Sequence, residues 1–261
     1  MKRLAPVAAL LLASCCFSGG GPPLTRYSED LTGAQILETL RVRQARIPTL
    51  VAEGKGSLSG SHGSDGSFRW QCWAQGTSHL RLTLTHRMKG CLADAVIEGD
   101  RVSCYDPEAG VIHRGLLKNL TLPGLAQTAS LIRLLAGPGD ALAFDPTPSM
   151  SDEPRLLLDL GAGARWKLRM DRRFLILKSA ELSAYEGSGG ILARVAFDPD
   201  RYRMVSEVPW PMEMTVDRPG EAWKLMLKFQ ETRLGEPIDP SVFKLKVPDG
   251  TRTVDEGVPA P

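Results

Sequence analysis

The stretch HLRLTLT, residues 79–85, alternates polar and apolar side chains at every position. Its three leucines point to one side of an extended chain, and its arginine and threonines point to the other. The same alternation occurs in RWKLRMD, residues 165–171, and, apart from Met226, in WKLMLKFQ, residues 223–230. Strands with one apolar and one polar face are typical of antiparallel sheets rather than of doubly wound parallel ones. The sequence therefore predicts a largely antiparallel sheet.

More strands are predicted around these three, because short turns rich in glycine, aspartate and proline separate apolar segments at close intervals. The first strand is predicted at VAEGKGSLSG, residues 51–60. The remaining predicted strands are 68–74, 94–98, 101–106, 111–114, 155–159, 174–180, 191–197 and 211–216. This order of elements predicts a β-meander.

Two helices are expected alongside the strands. Thr32 and Gln35 have the spacing of a capping box, which predicts a helix that begins at residue 33 and ends before Pro48. A second helix is predicted where leucines crowd residues 125–135, between Pro123-Gly124 and Gly137. The predicted fold class is therefore mainly β, in an α+β arrangement, with one or two helices covering the sheet.

The N-terminus has the pattern of an export signal. Lys2 and Arg3 precede an apolar run that is too short to span a bilayer. The run ends in Leu12-Ala13-Ser14-Cys15, which resembles the lipobox of bacterial lipoproteins, so lipid attachment is predicted at Cys15. An ordinary signal peptide with incidental cysteines is the alternative. The absence of aspartate at position 16 favours the outer membrane, if the sorting rule of enteric bacteria applies.

The predicted domains follow from these patterns. Residues 1–14 are a lipoprotein signal peptide, 15–27 a lipidated tether rich in glycine and proline, 28–250 the folded domain, and 251–261 a flexible C-terminal tail. The formal net charge of +2 falls to zero without Lys2 and Arg3, which leaves no basic surface for nucleic acid. Three cysteines remain in the domain, so at most one disulfide can form within it; Cys91 with Cys104 is one candidate.

No stretch carries a recognisable catalytic or metal-binding motif. GSLSG, residues 56–60, places Leu58 where a nucleophile elbow requires serine. The four histidines lack the spacing of zinc ligands, and Gly161 with Gly163 precede a strand rather than a helix. The sequence therefore predicts a protein that is not an enzyme and has no catalytic residues, cofactor or metal.

The apolar faces of the predicted strands carry large and flexible side chains. These pack either as a solid core or as the wall of a cavity for an acyl chain, and the sequence leaves both open. The cavity candidates are Trp70, Leu80, Leu82, Leu84, Trp166, Leu168, Met170, Met212, Met214, Trp223, Leu225, Leu227 and Phe229. Trp210, between Pro209 and Pro211, is a candidate for an exposed tip that contacts a membrane or a partner, and a buried corner is the alternative.

Together, the lipobox, the helix before the first strand, the meander with its mid-chain helix and the ending PIDPSVFKLKVP, residues 237–248, resemble the LolA/LolB superfamily of bacterial envelope proteins. The anchored, LolB-like members are most similar because of the lipobox. The resemblance implies an incomplete antiparallel β-barrel with a helical lid, which binds acyl chains or lipidated protein. It also implies a periplasm-facing outer-membrane location, a role in lipoprotein transport and localisation, and other envelope proteins as partners. A non-catalytic envelope scaffold with a solid core is the alternative.

Overall fold

The structure is a computed structural model that describes residues 23–27, 30–60, 66–76, 78–116, 142–144, 154–159, 164–184, 191–218 and 223–256. The α-helix in this part of the chain, α1, spans Gly33–Ala45. The strands are β1 (Thr49–Gly60), β2 (Gly66–Gln75), β3 (His79–His86), β4 (Gly90–Glu98), β5 (Arg101–Asp106), β6 (Val111–Leu116), β7 (Leu142–Phe144), β8 (Arg155–Asp159), β9 (Ala164–Asp171), β10 (Ile176–Ala184), β11 (Ile191–Phe197), β12 (Tyr202–Val205), β13 (Val208–Pro211), β14 (Glu213–Arg218), β15 (Trp223–Leu234) and β16 (Arg252–Glu256). Short 3-10 turns occupy Pro199–Arg201 and Pro240–Phe243.

One sheet contains 14 of these strands, and β12 and β13 form a separate hairpin. The order across the sheet is β16, β6, β5, β4, β3, β2, β1, β15, β14, β11, β10, β9, β8 and β7. Neighbours are antiparallel except for β16, which runs parallel to β6. The described strands form a large curved sheet that does not close into a barrel. This confirms the predicted incomplete antiparallel β-barrel.

Helix α1 begins as the capping box predicts. The Thr32 hydroxyl accepts a hydrogen bond from the backbone N–H of Gln35 at 3.3 Å, and the Gln35 side-chain oxygen accepts one from the Thr32 N–H at 2.8 Å. These bonds satisfy two N–H groups that have no partner within the helix. Ile36 is buried and faces the sheet. The second predicted helix, at residues 125–135, lies outside the described residues.

The alternating stretches are strands β3, β9 and β15, as predicted. The predicted segments 101–106, 155–159 and 191–197 match β5, β8 and β11 residue for residue. Strand β10 begins at Ile176, two residues later than predicted, because a turn precedes it in which Leu175 has a positive φ of 49°. Period-two alternation is a local signal, which explains this agreement.

The prediction of a flexible C-terminal tail is corrected by the last strand, β16. Residues 252–256 form β16 and pair with β6, so the expectation of a flexible tail from residue 251 onward is wrong for this segment. Its sequence, RTVDE, has little apolar alternation, and its partner strand lies far away in sequence. A local pattern could not predict this pairing.

None of the three described cysteines forms a disulfide. Cys104 lies opposite Ala95 of the neighbouring strand, and Cys91 is four residues from Ala95 along that strand. Four residues of strand span about 13 Å, whereas a disulfide requires Cα atoms within about 7 Å. The candidate pair Cys91 and Cys104 is therefore wrong. Burial raises the pKa of the Cys72 thiol, which keeps that group protonated.

We call the face of the sheet that α1 and the β12–β13 hairpin cover the inner face. Ile36 of α1 and Val208 and Trp210 of the hairpin belong to one buried hydrophobic cluster together with side chains from the sheet. The core of the described chain therefore lies between the inner face and these two elements. Burial of each large apolar side chain contributes about 1.5–3 kcal/mol, which makes this layer the main source of stability.

The outer face is partly covered by the segment that follows β15. Phe243 in the second 3-10 turn is buried, and its ring lies 5.7 Å from that of His79 on β3. The Asp239 carboxylate caps this turn by accepting a hydrogen bond from the Ser241 N–H at 2.8 Å, which lowers the pKa of Asp239. This segment therefore covers part of the polar face of β3, which the sequence predicted to face water.

Arg81, on the polar face of β3, is largely buried instead of solvated. Its guanidinium binds both carboxylate oxygens of Asp94, at 2.9 Å and 2.6 Å, and donates a further bond to the carbonyl of Val242 at 2.7 Å. The side chains of Arg81 and Asp94 are only 14% and 8% exposed. Thr83 also donates to Asp94, at 3.1 Å. A buried ion pair therefore joins β3, β4 and the C-terminal segment.

Candidate functional site

We call α1 and the β12–β13 hairpin together the lid. The hairpin contacts the sheet through the Tyr202 hydroxyl, which donates to the carbonyl of Leu177 at 2.7 Å, and burial raises the pKa of this phenol. Its two turn residues, Ser206 and Glu207, have φ angles of 47° and 63°. Positive φ at both positions is the type I′ geometry, which usually selects asparagine and glycine. Ser-Glu is not a recognisable turn signal, so sequence analysis missed this hairpin.

The two parts of the lid meet at the protein surface. Arg46 at the end of α1 forms an ion pair with Glu207 of the hairpin turn at 2.7 Å. Both side chains are largely exposed, at 50% and 81%. Exposed ion pairs contribute only about 0–1 kcal/mol. The direct polar link between α1 and the hairpin is therefore weak.

A pocket of about 620 Å³ lies beside this ion pair. Residues 23–27, α1 and the hairpin turn form its walls. Its lining includes Tyr27, Val42, Arg43, Arg46, Met204 and Glu207. The pocket leaves the contact between the two parts of the lid incompletely packed. The ion pair and the pocket lie at the surface, whereas Ile36 of α1 and Val208 and Trp210 of the hairpin share the buried cluster beneath them.

Arg43 fixes α1 to the turn between β9 and β10. Its guanidinium donates to the carbonyls of Leu175 at 2.6 Å and Phe174 at 2.9 Å, and it lies 4.9 Å from the centre of the Tyr27 ring. Tyr27 is itself held by a hydrogen bond from its N–H to the carbonyl of Arg173 at 2.7 Å. Arg43 therefore connects the helix, the chain segment before it and the sheet.

Replacing Arg43 with alanine is expected to loosen α1 while the sheet stays folded. The substitution leaves two partly buried carbonyls without their donor, which costs about 1–3 kcal/mol. Hydrogen exchange measured by mass spectrometry is expected to accelerate in residues 33–45 more than in β3 and β9. Arg41→Ala, at an exposed position of the same helix, is the matched control and is expected to leave exchange unchanged. Equal acceleration in both variants would contradict the role of Arg43.

The predicted cavity residues share the inner face. Every one of them whose side chain the structure describes belongs to the buried cluster or packs against it. They are Trp70, Leu80, Leu82, Leu84, Trp166, Leu168, Met170, Met212, Met214, Leu225, Leu227 and Phe229. For Trp223 the structure describes only the backbone, at the start of β15.

Trp210 corrects the prediction of an exposed tip. Its side chain is only 1% exposed, and its ring lies 5.9 Å from that of Phe229 in an edge-to-face contact. Phe229 makes a second such contact with Trp70, at 4.9 Å. The hairpin points Trp210 at the sheet, so the indole is the buried corner that was the alternative interpretation. The three rings join the lid to β2 and β15.

Gly54 leaves room for the contact between the Trp70 and Phe229 rings. It lies opposite Trp70 on β2 and Phe229 on β15. A Cβ atom at this position would overlap the carbonyl oxygen of Lys228 and lie 2.9 Å from the Trp70 ring. Glycine is therefore required for the Trp70 and Phe229 rings to meet over β1. A β-bulge between Glu53 and Gly54 lies beside this contact.

The described side chains of the inner face are almost entirely apolar. Asp94, on the outer face, is the one charged residue among the described side chains that is buried. No group of three or more histidine, cysteine, aspartate or glutamate side chains in this part of the chain could hold a metal ion. An apolar wall of this kind is suited to burying hydrocarbon.

A candidate exposed tip lies instead in the turn between β3 and β4. Met88 is 90% exposed, between the exposed Arg87 and Lys89. The His86 ring nitrogen Nδ1 accepts hydrogen bonds from the backbone N–H groups of Met88 and Lys89, at 3.2 Å and 3.3 Å, which shapes the turn. The sequence signal was HRMK, an apolar residue between basic ones at a turn. No helix in the described ranges is long and apolar enough to cross a bilayer.

Solved structures identify the fold, whereas no protein-family model and no curated protein sequence matches the chain. A LolA superfamily protein from Nitrosomonas europaea superposes with a TM-score of 0.62 at 14% identity, covering 82% of this chain and 98% of the other. The chain has a LolA/LolB-like fold. A second LolA/LolB-like match is an outer membrane lipoprotein-sorting protein domain from Vibrio parahaemolyticus, with a TM-score of 0.58, 11% identity and coverages of 81% and 95%.

A third match shows how widely the LolA/LolB-like fold occurs. A DUF1329 family protein from Desulfovibrio piger superposes with a TM-score of 0.59 at 12% identity, covering 79% of this chain and 95% of the other. At such identities the likeness establishes the fold and not a shared activity.

Proposed function

We propose that this protein is a lipid-anchored protein of the bacterial cell envelope that binds acyl chains, or the lipidated end of another protein, between its inner face and its lid. The observation that carries the proposal is an apolar inner face covered by a lid with weak surface links. Anchoring is proposed at Cys15, with residues 1–14 as the signal peptide and 15–27 as the tether. A role in lipoprotein localisation to the outer membrane, without catalysis, is part of the proposal.

The energetics favour a lid that opens for a ligand. Each methylene of an acyl chain that leaves water contributes about 0.8 kcal/mol. The exposed Arg46 ion pair contributes about 0–1 kcal/mol, and each hydrogen bond donated by the charged Arg43 about 1.5–3 kcal/mol. Opening the lid also exposes Ile36, Val208 and Trp210, at about 1.5–3 kcal/mol each, so the burial of long acyl chains, rather than of a few methylenes, is needed to offset the contacts that the lid loses. Met170 and Met214 on the inner face suit this exchange, because methionine side chains adapt their shape readily.

Native mass spectrometry of the chain from Leu24 onward, purified from bacteria without detergent, tests the proposal. The expected result is co-purified fatty acid or phospholipid that is released when the protein unfolds. A ligand-free mass that stays unchanged after incubation with lipid would contradict it.

That contrary result would support a non-catalytic envelope scaffold with a solid core. The observation that favours this second function is the close packing of the described core: Trp166 is 0% exposed, Trp210 1% and Met214 2%. A scaffold would act through its surface and needs no space for a ligand.

We further propose that the turn around Met88 contacts the membrane. An exposed methionine can insert among acyl chains while Arg87 and Lys89 interact with anionic headgroups. This assignment replaces Trp210, which is buried.

Met88→Gln is expected to weaken binding of the soluble chain to vesicles that contain phosphatidylglycerol by roughly tenfold, since one apolar side chain no longer leaves water. Vesicle co-sedimentation measures the change. Leu116→Gln is the matched control, because Leu116 is also partly exposed, at 39%, but lies on β6. Equal binding by the Met88 variant and the unmodified chain would contradict the assignment.

A further inference from the structure

Three basic side chains lie side by side on the outer face of the sheet. Lys55 on β1 is directly opposite both Lys228 on β15 and Arg69 on β2, and all three are exposed. Phe229 and Trp70, the next residues on β15 and β2, belong to the inner face, so the basic side chains point the other way. Cβ atoms of directly opposite residues are about 5 Å apart, which makes the row about 10 Å long. We call Lys228, Lys55 and Arg69 the basic row.

The stability of the sheet does not explain the basic row, because like charges directly opposite each other on adjacent strands are destabilising. A few strands away, the outer face pairs opposite charges instead. Glu181 lies opposite Arg194 and forms an ion pair with it at 3.5 Å. Asp217 lies opposite Lys224. A row of like charges therefore indicates a function other than holding the strands together.

The nearest carboxylates along the strands are bound to other groups. Glu53 lies two residues before Lys55 on the same face and accepts a hydrogen bond from the Gln71 amide at 3.0 Å. Glu231, opposite Glu53 on β15, forms an ion pair with Arg233 at 3.2 Å. Two residues of strand span about 7 Å, so neither carboxylate replaces a direct partner for the basic row.

Within the basic row, ion pairing is limited to one member. Lys228 pairs with Glu213 at 3.5 Å, and the Lys228 side chain is still 56% exposed. Neither Lys55 nor Arg69 forms an ion pair with another residue that the structure describes. The row therefore has three positive charges and one directly paired carboxylate, which leaves an excess of two positive charges.

We propose that the basic row binds a phosphate group. A phosphate monoester carries a charge of about −1.5 to −2 at neutral pH and three acceptor oxygens, which suits an excess of two positive charges on adjacent N–H donors. A carboxylate carries one charge and would leave part of the repulsion in place. Ser57 and Ser67 lie opposite each other beside the row, on the same face, and their exposed hydroxyls are further donors.

The phosphate site is separate from the lipid site proposed above. It lies on the outer face, whereas acyl chains are proposed to bind between the inner face and the lid. The phosphate belongs either to a lipid headgroup or to a soluble phosphate ester, and both supply the same charge and the same acceptors.

Isothermal titration calorimetry with glycerol 3-phosphate tests the site. The protein is the chain from Leu24 onward, which contains every described residue except Pro23. Lys55→Gln, in the middle of the row, is expected to weaken binding roughly tenfold, since one charge-assisted contact is lost. Lys224→Gln is the matched control, because Lys224 is an exposed lysine on β15 that lies opposite Asp217 instead of a basic residue. Its affinity is expected to match that of the unmodified chain.

A second readout separates binding from folding. Without ligand, Lys55→Gln is expected to raise the thermal unfolding midpoint, because repulsion within the basic row falls. A residue that only supports the fold would lower the midpoint when replaced. Should the Lys55 variant be less stable, Arg69→Gln, at the end of the row, tests the affinity with the same expected loss.

Three results would overturn the inference. They are an absence of glycerol 3-phosphate binding, equal affinity of the unmodified chain and the Lys55→Gln variant, and equal affinity for glycerol 3-phosphate and for a glutamate-rich peptide. The last result would indicate an acidic protein segment as the ligand. Failure to bind acyl chains in the native mass spectrometry experiment leaves this site untouched, so the two proposals can fail separately.

Vesicles identify the source of the phosphate group. The vesicles contain phosphatidylcholine with phosphatidic acid, whose headgroup is a phosphate monoester. If the ligand is a lipid headgroup, Lys55→Gln is expected to weaken vesicle binding as well as glycerol 3-phosphate binding. If the ligand is a soluble phosphate ester, the variant is expected to lose affinity for glycerol 3-phosphate alone. Both results support a phosphate site at the basic row.

Discussion

Asp94→Ala is expected to lower the free energy of unfolding by about 3–5 kcal/mol, since it leaves the Arg81 guanidinium buried without its counter-ion. Thr83 also loses its acceptor. Urea unfolding measures the loss. Because Arg81 also binds the carbonyl of Val242, hydrogen exchange is expected to accelerate in residues 240–256 more than in α1.

Two further variants identify the cause. Asp100→Ala changes an exposed aspartate in the turn between β4 and β5, and its effect is expected to stay within about 0.5 kcal/mol. The double variant Arg81→Met with Asp94→Leu removes both charges, and it is expected to recover most of the lost stability. A double variant as unstable as Asp94→Ala alone would show that the unpaired charge is not the reason.

Phe229→Ala is expected to lower the free energy of unfolding by a similar amount, about 3–5 kcal/mol. The substitution creates a cavity between β15 and the lid and removes two edge-to-face contacts, with Trp70 and Trp210. Since Trp210 is then no longer held against the sheet by this ring, exchange is expected to accelerate in the hairpin, residues 202–211. Urea unfolding and hydrogen exchange measure the two effects.

Gln230→Ala is the control on the same strand, because its side chain is exposed on the opposite face. Phe229→Leu keeps much of the volume but removes the aromatic ring, so it is expected to fall between the two. Unchanged exchange in the hairpin of Phe229→Ala would show that the aromatic contacts do not hold the lid.

Much of the fold was predictable from the sequence because its signals are local. The alternation in HLRLTLT specifies a strand and separates its two faces, and the capping box at Thr32 specifies where α1 begins. The same alternation placed Trp70, Leu168 and Phe229 on one face, where the structure has them. These properties depend on neighbours within a few residues.

The lid was predicted less well. Of the parts of the lid that the structure describes, the sequence predicted α1 but not the β-hairpin, whose turn, Ser206-Glu207, has no glycine or asparagine. The contacts around that turn, including the Arg46 ion pair, come from a distant part of the chain. Positive φ at residues other than glycine persists only where the surrounding structure stabilises it. No local sequence pattern therefore predicts this turn.

The sequence by itself determined the class of the fold, most strands of the described sheet and the separation of apolar from polar faces. Tertiary structure alone decided what covers each face: the hairpin buries Trp210, and the C-terminal segment encloses Arg81 with Asp94. The physical reason is that alternation shows only that the two faces of a strand differ in polarity. What packs against either side depends on residues far away in the chain.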